Sequence, residues 1–243
     1  LDEYRALLPG RGAQLTLSGP GPFAGTVEAG RVGFAALRRG LSTVAHSLRN
    51  ESVQPASFTF AGLPRSRLLA NGVMLPERGL IHLRPGSENL AAMPAGEEWW
   101  CVFFEPERFA AATAAVFGTP REAPRVAHLM VSAGEVPWRR LLAEARNTLC
   151  PAAGPADAER LLLAVLACLP PAMDEPREAP SSARRRAVAE GLVALADAAG
   201  GEPISLIEVC GRLGTPLRTL NSSVNAILGM SAAAYLRRRR LHG

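Results

Sequence analysis

The side chains best suited to bind a ligand through hydrogen bonds lie in a helical pattern between Arg218 and Asn225. Arg218, Asn221, Ser222 and Asn225 fall at offsets of zero, three, four and seven, which places them on one face of a helix. Arginine, asparagine and serine side chains hydrogen-bond to base edges and phosphates in the DNA major groove. The pattern therefore indicates a helix with a DNA-reading face.

A short helix is predicted to precede this face. Ser205 is a capping residue, and Glu208 three residues later completes a capping box. Gly214 ends the helix, because glycine tolerates the left-handed backbone conformation. Its apolar positions fall on one face of the helix: Leu206, Val209, Cys210 and Leu213.

The helix that carries the polar face has its own signals. We expect Thr215 to cap it, Pro216 to occupy its first position and Gly229 to end it. Its opposite side forms an apolar stripe: Leu217, Leu220, Val224, Ile227 and Leu228. Two short helices joined at a glycine are typical of a helix-turn-helix.

A third helix, capped by Ser231, carries the arginine run Arg237 to Arg240. Residues 1–180 hold 18 arginines and 18 acidic residues, whereas residues 181–243 hold 9 arginines and 4 acidic residues. The whole formal charge of +5 therefore lies in the last quarter of the chain. A neutral body with a basic end is typical of a protein that binds a polyanion such as DNA.

Residues 1–105 contain short apolar runs separated by turn signals, which predict a β sandwich or small barrel. The predicted strands are Gln14–Leu17, Val32–Leu37, Leu41–Leu48, Ser57–Phe60, Leu80–Leu83 and Trp99–Phe104.

Helical patterns follow over Glu107–Phe117, Pro137–Cys150 and Ala156–Leu169. The last two form a helix pair that covers the β domain, presents a face to a second copy, or does both. Residues 170–182 contain four prolines and predict a semi-rigid linker, and a helix is expected over Ala183–Ala199. The predicted domains are thus 1–169, β-rich over 1–105 and helical over 106–169, and 183–243.

No residue pattern in the sequence indicates a catalytic, metal or cofactor site. His46 and His82 fall in predicted strand regions, but no paired histidines of a metal-binding barrel are present. The four cysteines are scattered, which favours small buried residues in a reducing cytoplasm: Cys101, Cys150, Cys168 and Cys210. We expect neither an enzyme, nor a membrane span, nor a secretory signal.

The C-terminal stretch resembles the AraC family of bacterial transcription regulators over residues 184–241. The likeness is carried by ISLIEVCGRLG, RTLNSSVNAILGMS and YLRRRRL, in the order and spacing that the family uses. Cys210 with Arg218, Thr219 and Leu220 is most similar to the branch that contains the ethanolamine-utilisation regulator.

The resemblance implies roles by position. Arg218, Asn221 and Ser222 would face bases, while Asn225 would lie nearer phosphates. The arginines of the last helix would also lie nearer phosphates: Arg237, Arg238 and Arg240. The family has a cupin-like effector and dimerisation domain before this region, which agrees with the β pattern. It also has a second helix-turn-helix after the first, and we expect that this second one is missing after Gly243 through trimming or disorder.

Three positions depart from the family pattern. Pro216 stands where the family usually has serine, Val224 where it has phenylalanine, and Ala232 where it has proline. Valine fills less of the core than phenylalanine does.

The sequence therefore predicts an α+β protein, with a cupin-like barrel or sandwich, a helix pair and a C-terminal helix-turn-helix. We interpret it as a cytoplasmic, homodimeric regulator that binds double-stranded DNA and is controlled by an N-terminal domain that senses a small-molecule effector or mediates dimerisation. The alternative is a ligand-binding module whose helical tail contacts proteins and does not bind DNA.

Overall fold

Strands dominate the first half of the chain and helices the second. The computed structural model describes residues 2–9, 11–52, 56–121, 128–170 and 180–242. The strands are β1 (Arg11–Leu17), β2 (Gly25–Val32), β3 (Ala35–Ser42), β4 (His46–Glu51), β5 (Ala56–Ala61), β6 (Leu69–Ala70), β7 (Val73–Met74), β8 (Gly79–Leu83), β9 (Glu88–Met93), β10 (Trp99–Phe104) and β11 (His128–Ser132). The helices are α1 (Asp2–Ala6), α2 (Pro106–Phe117), α3 (Glu135–Leu149), α4 (Pro155–Cys168), α5 (Pro180–Ala198), α6 (Leu206–Leu213), α7 (Leu217–Leu228) and α8 (Ala232–His242).

The strands form two antiparallel sheets. One sheet has the order β1-β4-β9-β6-β7 and the other has the order β11-β8-β5-β10-β3-β2. The apolar run of β10 is central in the second sheet, between β5 and β3. Because side chains alternate along a strand, Trp99 and Cys101 enter a core with residues of the first sheet such as Leu48 and Met93. The α+β prediction is confirmed, with a sandwich of two sheets.

The opposite face of the six-stranded sheet is covered by helices α2, α3 and α4. Trp100 and Phe60 of the sheet share a buried cluster with Phe109, Trp138 and Leu161 of these helices. The apolar stripes predicted for the helix pair therefore cover the β domain, which was one of the two interpretations of that pair.

The outer face of the five-stranded sheet is covered by the C-terminal helices. Leu90 of β9 is fully buried in one cluster with Val193 of α5, Val224 and Ile227 of α7, and Tyr235 of α8. The predicted linker separates the two regions in sequence, but the C-terminal helices pack directly on the sandwich. Most of that linker, residues 171–179, lies outside the described residues, and α5 begins at Pro180.

Several predicted boundaries were wrong. The predicted strand Val32–Leu37 is interrupted by a turn at Gly33, whose φ is +54°. The predicted strand Leu41–Leu48 is divided between β3 and β4 by bends at residues 43 and 44. Cys150 is exposed at the end of α3 instead of buried. Strands without a prediction are β2, β6, β7, β9 and β11. Glycine and alanine hide the period-two pattern in β2 and β9, and β6 and β7 have only two residues each.

Within the described residues, none of the helices combines the length and the apolar character that crossing a membrane requires.

Candidate nucleic-acid interface and its contact with the sandwich

The predicted helix-turn-helix is present, and its capping residues were mostly identified correctly. The Ser205 hydroxyl accepts a hydrogen bond from the Glu208 N–H at 3.1 Å, and Gly214 ends α6 in the left-handed conformation. Gly229 likewise ends α7, and the Ser231 hydroxyl accepts from the Ala234 N–H at 3.2 Å at the start of α8. Local sequence therefore marks both ends of α6, the end of α7 and the start of α8.

The predicted cap of α7 was wrong. Pro216 has an extended backbone and occupies the N-cap position, so α7 begins at Leu217. Thr215 is displaced from that position, and its buried hydroxyl has no hydrogen-bond partner among the described residues. Leu217 was placed in the buried stripe but is 47% exposed, whereas Leu220 behind it is fully buried.

The predicted polar face of α7 divides into exposed and inward-directed residues. Arg218, Ser222 and Asn225 are exposed. Within the described chain no carboxylate pairs with Arg218. The Ser222 hydroxyl donates to the Thr219 carbonyl at 3.1 Å, which still leaves its oxygen lone pairs at the surface. These three side chains are free to contact a partner molecule.

Asn221 has a different environment from its neighbours on the predicted face. It is half-buried, and its Oδ1 accepts a hydrogen bond from the Ala232 N–H at 3.2 Å. This bond satisfies one of the free N–H groups at the start of α8. Asn221 therefore joins α7 to α8.

The four arginines of α8 have unequal environments. Arg238 donates to the Leu17 carbonyl of β1 at 2.8 Å, and Arg239 donates to Asp197 of α5 at 2.8 Å. Arg237 and Arg240 are exposed and line a cleft of about 310 Å³ between α8, the end of α5 and the α5–α6 loop. Two arginines thus hold the helix against the rest of the protein, and two remain available to an anion.

An ion-pair network connects the C-terminal helices to the sandwich. Asp197 Oδ2 accepts a hydrogen bond from Arg49 Nη1 of β4 at 2.7 Å, while Asp197 Oδ1 accepts from Arg239. Arg49 also donates from Nε to Glu88 of β9 at 2.7 Å. The side chains of Arg49, Asp197 and Arg239 are about one quarter exposed, at 25%, 23% and 25%. Sequence reasoning missed this network, because no local pattern relates residues so far apart in the chain.

Apolar contacts surround the network. Tyr235 is buried beside it, and burial, followed by the negative charge of Asp197, raises the pKa of its phenol to about 12. The phenol therefore stays neutral at physiological pH. Gly72, in the turn between β6 and β7, lies against α7: a Cβ at this position would be 2.2 Å from Ile227 Cδ1. The contact between helices and sheet is close-packed as well as ionic.

A small cavity of about 30 Å³ lies between the two sheets. Apolar side chains such as Leu48 and Met93 line it, together with Asn50 and Asn89. The Asn89 Nδ2 donates to Asn50 Oδ1 at 3.1 Å, whereas Asn89 Oδ1 has no partner among the described residues. This volume accommodates about two water molecules and is far below the roughly 300–1,000 Å³ of small-molecule sites.

His46 and His82, the histidines in predicted strand regions, lie in different environments. The His46 Nδ1 is 3.1 Å from the Ser42 hydroxyl, and burial lowers the pKa of the imidazole. His82 stacks on Phe58, with ring centroids 4.4 Å apart, on the side of the sheet that packs against α2. The described residues contain no group of three His, Cys, Asp or Glu side chains placed to hold a metal ion.

Comparisons with known proteins found similarity in solved structures. No family model and no curated protein matches the sequence. The structural match with the AraC-like transcriptional activator CuxR covers 99% of this chain and 89% of the CuxR chain, with 16% sequence identity and a TM-score of 0.48. The match with ToxT from Vibrio cholerae bound to an unsaturated fatty acid covers 93% of this chain and 80% of the ToxT chain, with 10% sequence identity and a TM-score of 0.34. Likenesses at these values identify neither the family nor the ligand of this chain.

Proposed function

We propose that the protein is a bacterial transcription regulator of the AraC family that binds double-stranded DNA in the cytoplasm and has no enzymatic activity. The observation that carries this proposal is the exposed side of α7, on which Arg218, Ser222 and Asn225 stand together. Recognition helices place their N-terminal residues against base edges in the major groove, and Arg218 is the second residue of α7. A capped helix-turn-helix holds this side outward.

The environments of the predicted site residues refine their roles. Arg218 would donate two hydrogen bonds to a guanine, and Ser222 and Asn225 would contact bases or nearby phosphates. Arg237 and Arg240, which lack a carboxylate partner among the described residues, would contact phosphates. We propose structural roles for Asn221 and Arg238, because both are engaged inside the protein.

The sandwich is the proposed sensing domain. Its five-stranded sheet contacts the inter-sheet cavity with one face and the C-terminal helices with the other, because side chains alternate along β4 and β9. Leu48 and Ala91 line the cavity, whereas Arg49 and Leu90 contact the helices. A ligand that shifts these strands would therefore move the groups that hold the DNA-binding module.

We also propose a homodimer, as the resemblance implies. The buried stripes of α3 and α4 are occupied by the six-stranded sheet, so a second copy would contact other parts of this helix pair. Val136 and Leu163 are 78% and 48% exposed on these helices and are available for such a contact.

A second candidate function is a ligand-binding module whose C-terminal helices do not touch DNA. The observation that favours it is the use of Arg238 and Arg239 inside the protein, which removes two cations from the basic end. In that case the helices would bind a protein partner, and the exposed side of α7 would be only a solvated surface.

Salt dependence separates the two functions. DNA binding releases counterions, so the logarithm of affinity falls with the logarithm of salt concentration by about 0.9 for each phosphate contacted. We expect a steep slope for the chain on random-sequence duplex DNA. Replacing both Arg237 and Arg240 by alanine should lower the slope by about two.

The matched control replaces Arg139 and Arg140 of α3 by alanine, which removes the same charge from two exposed positions outside the module. This control should keep the original slope. No binding by the folded chain at low salt would contradict the proposed function and favour the protein-binding alternative.

A further inference from the structure

A second opening in the sandwich is large enough for a small molecule. It has a volume of about 500 Å³ and lies where β2, β3 and the end of β10 meet. This volume falls within the range of roughly 300–1,000 Å³ that is typical of small-molecule sites. Its lining combines two arginines with three phenylalanines: Arg31, Arg38, Phe34, Phe103 and Phe104.

The two arginines lie on the same face of neighbouring strands. Arg31 of β2 is opposite Ala36 of β3, and Arg38 is two residues further along β3. Residues in this diagonal relationship have Cα atoms about 7–8 Å apart, within reach of long side chains. Both guanidinium groups can therefore approach one ligand.

Neither arginine is neutralised by the described part of the protein. No carboxylate of the described residues forms an ion pair with Arg31 or Arg38. The adjacent Arg39, which points to the other face, is bound by Glu28 and Glu98. Glu105 also lines the opening but is exposed. The site thus has an excess of positive charge.

The apolar part of the lining connects the opening to the sandwich interior. Phe103 lines both this opening and the small inter-sheet cavity. Arg38 is half-buried and directly opposite Cys101, another residue of that cavity. A ligand with its charged group at the arginines would place its apolar body against Phe103, which lies on the same face of the sheet. The Phe104 ring is only 2% exposed and packs with the helices on the other face.

We propose that this opening binds a small organic carboxylate with an aromatic or aliphatic body. Arginine forks match the geometry of a carboxylate and can donate two parallel hydrogen bonds to it. The assignment of this ligand as the effector rests on the proposed regulatory function, whereas the binding itself does not depend on DNA.

Isothermal titration calorimetry with 4-phenylbutanoate and the neutral 4-phenylbutanamide tests the proposal on the full chain. The carboxylate should bind at least about tenfold more tightly than the amide, which corresponds to one charge-assisted contact. Arg38→Gln and Arg31→Gln should each weaken carboxylate binding by about tenfold and leave amide binding unchanged. Arg65→Gln is the control, because Arg65 is an exposed loop arginine outside the opening.

Equal binding of carboxylate and amide, no saturable binding of the carboxylate, or unchanged binding by both glutamine variants would overturn the proposal. Thermal unfolding of each variant shows whether the fold is retained. DNA affinity measured on the same samples separates the proposed binding site from the proposed regulatory function. Binding of the carboxylate without binding of DNA would support the site and contradict the regulatory function.

Discussion

Arg49 of the sandwich donates a hydrogen bond to Asp197 of α5 at 2.7 Å, across 148 positions of sequence. The second oxygen of the same carboxylate accepts from Arg239 of α8. One acidic side chain therefore holds an arginine of the sheet and an arginine of the last helix together. This relationship ties the candidate DNA-binding module to the candidate sensing domain.

Removal of the Asp197 carboxylate tests how much it contributes to the free energy of unfolding. Asp197→Asn should lower the free energy of unfolding by about 1–2 kcal/mol, because partly buried Arg239 loses its counter-charge and Arg49 loses one of its two carboxylate partners. Asp2→Asn removes a carboxylate whose side chain is 85% exposed and should change stability by less than about 0.5 kcal/mol. Urea unfolding measures both values. Equal values for the two variants would show that Asp197 does not stabilise the contact.

Two neighbouring residues of α7 should respond differently to truncation. Asn221→Ala removes the hydrogen bond to the Ala232 N–H and should cost about 1 kcal/mol of stability, the typical effect of a lost helix cap. Ser222→Ala changes an exposed residue and should stay within about 0.5 kcal/mol of the original stability while it weakens DNA binding. Thermal unfolding and DNA titration compare the pair. The reverse result would mean that Asn221 contacts DNA and Ser222 is structural.

The close contact between Gly72 and α7 can be tested with alanine. Gly72→Ala places a methyl group against Ile227 in a backbone with φ of +78°, so both steric contact and strain oppose it. Gly86→Ala has a φ of +72° and no atom within 4 Å of the new methyl group, so it measures strain alone. We expect Gly72→Ala to be less stable than Gly86→Ala by about 1–3 kcal/mol. Equal unfolding midpoints would indicate that α7 moves easily on the sheet.

The sequence was informative where structure depends on neighbouring residues. Ser205, Gly214 and Ser231 marked helix ends correctly, because a cap is a contact within a few positions. The exposed positions of Arg218 and Asn225 likewise followed from helical periodicity.

The remaining features depend on contacts between distant parts of the chain. The Asp197 network joins β4, α5 and α8, and no spacing rule predicts it. Arg238 resembles its neighbours in the arginine run, and only the position of β1 engages it with the Leu17 carbonyl. The positive opening was also missed, since Arg31 and Arg38 come together through strand pairing.

We propose that the exposed side of α7 reads a DNA sequence. The most direct measurement selects the preferred duplex from a random library and compares its affinity with that of unselected DNA. For Arg218→Ala, the ratio of these affinities should fall by about tenfold or more, since a bidentate arginine–guanine pair contributes about 1–3 kcal/mol of discrimination. For Arg212→Ala, an exposed arginine of α6 paired with Glu208, the ratio should be unchanged. An unchanged ratio for Arg218→Ala, or an equal loss for both variants, would contradict the claim.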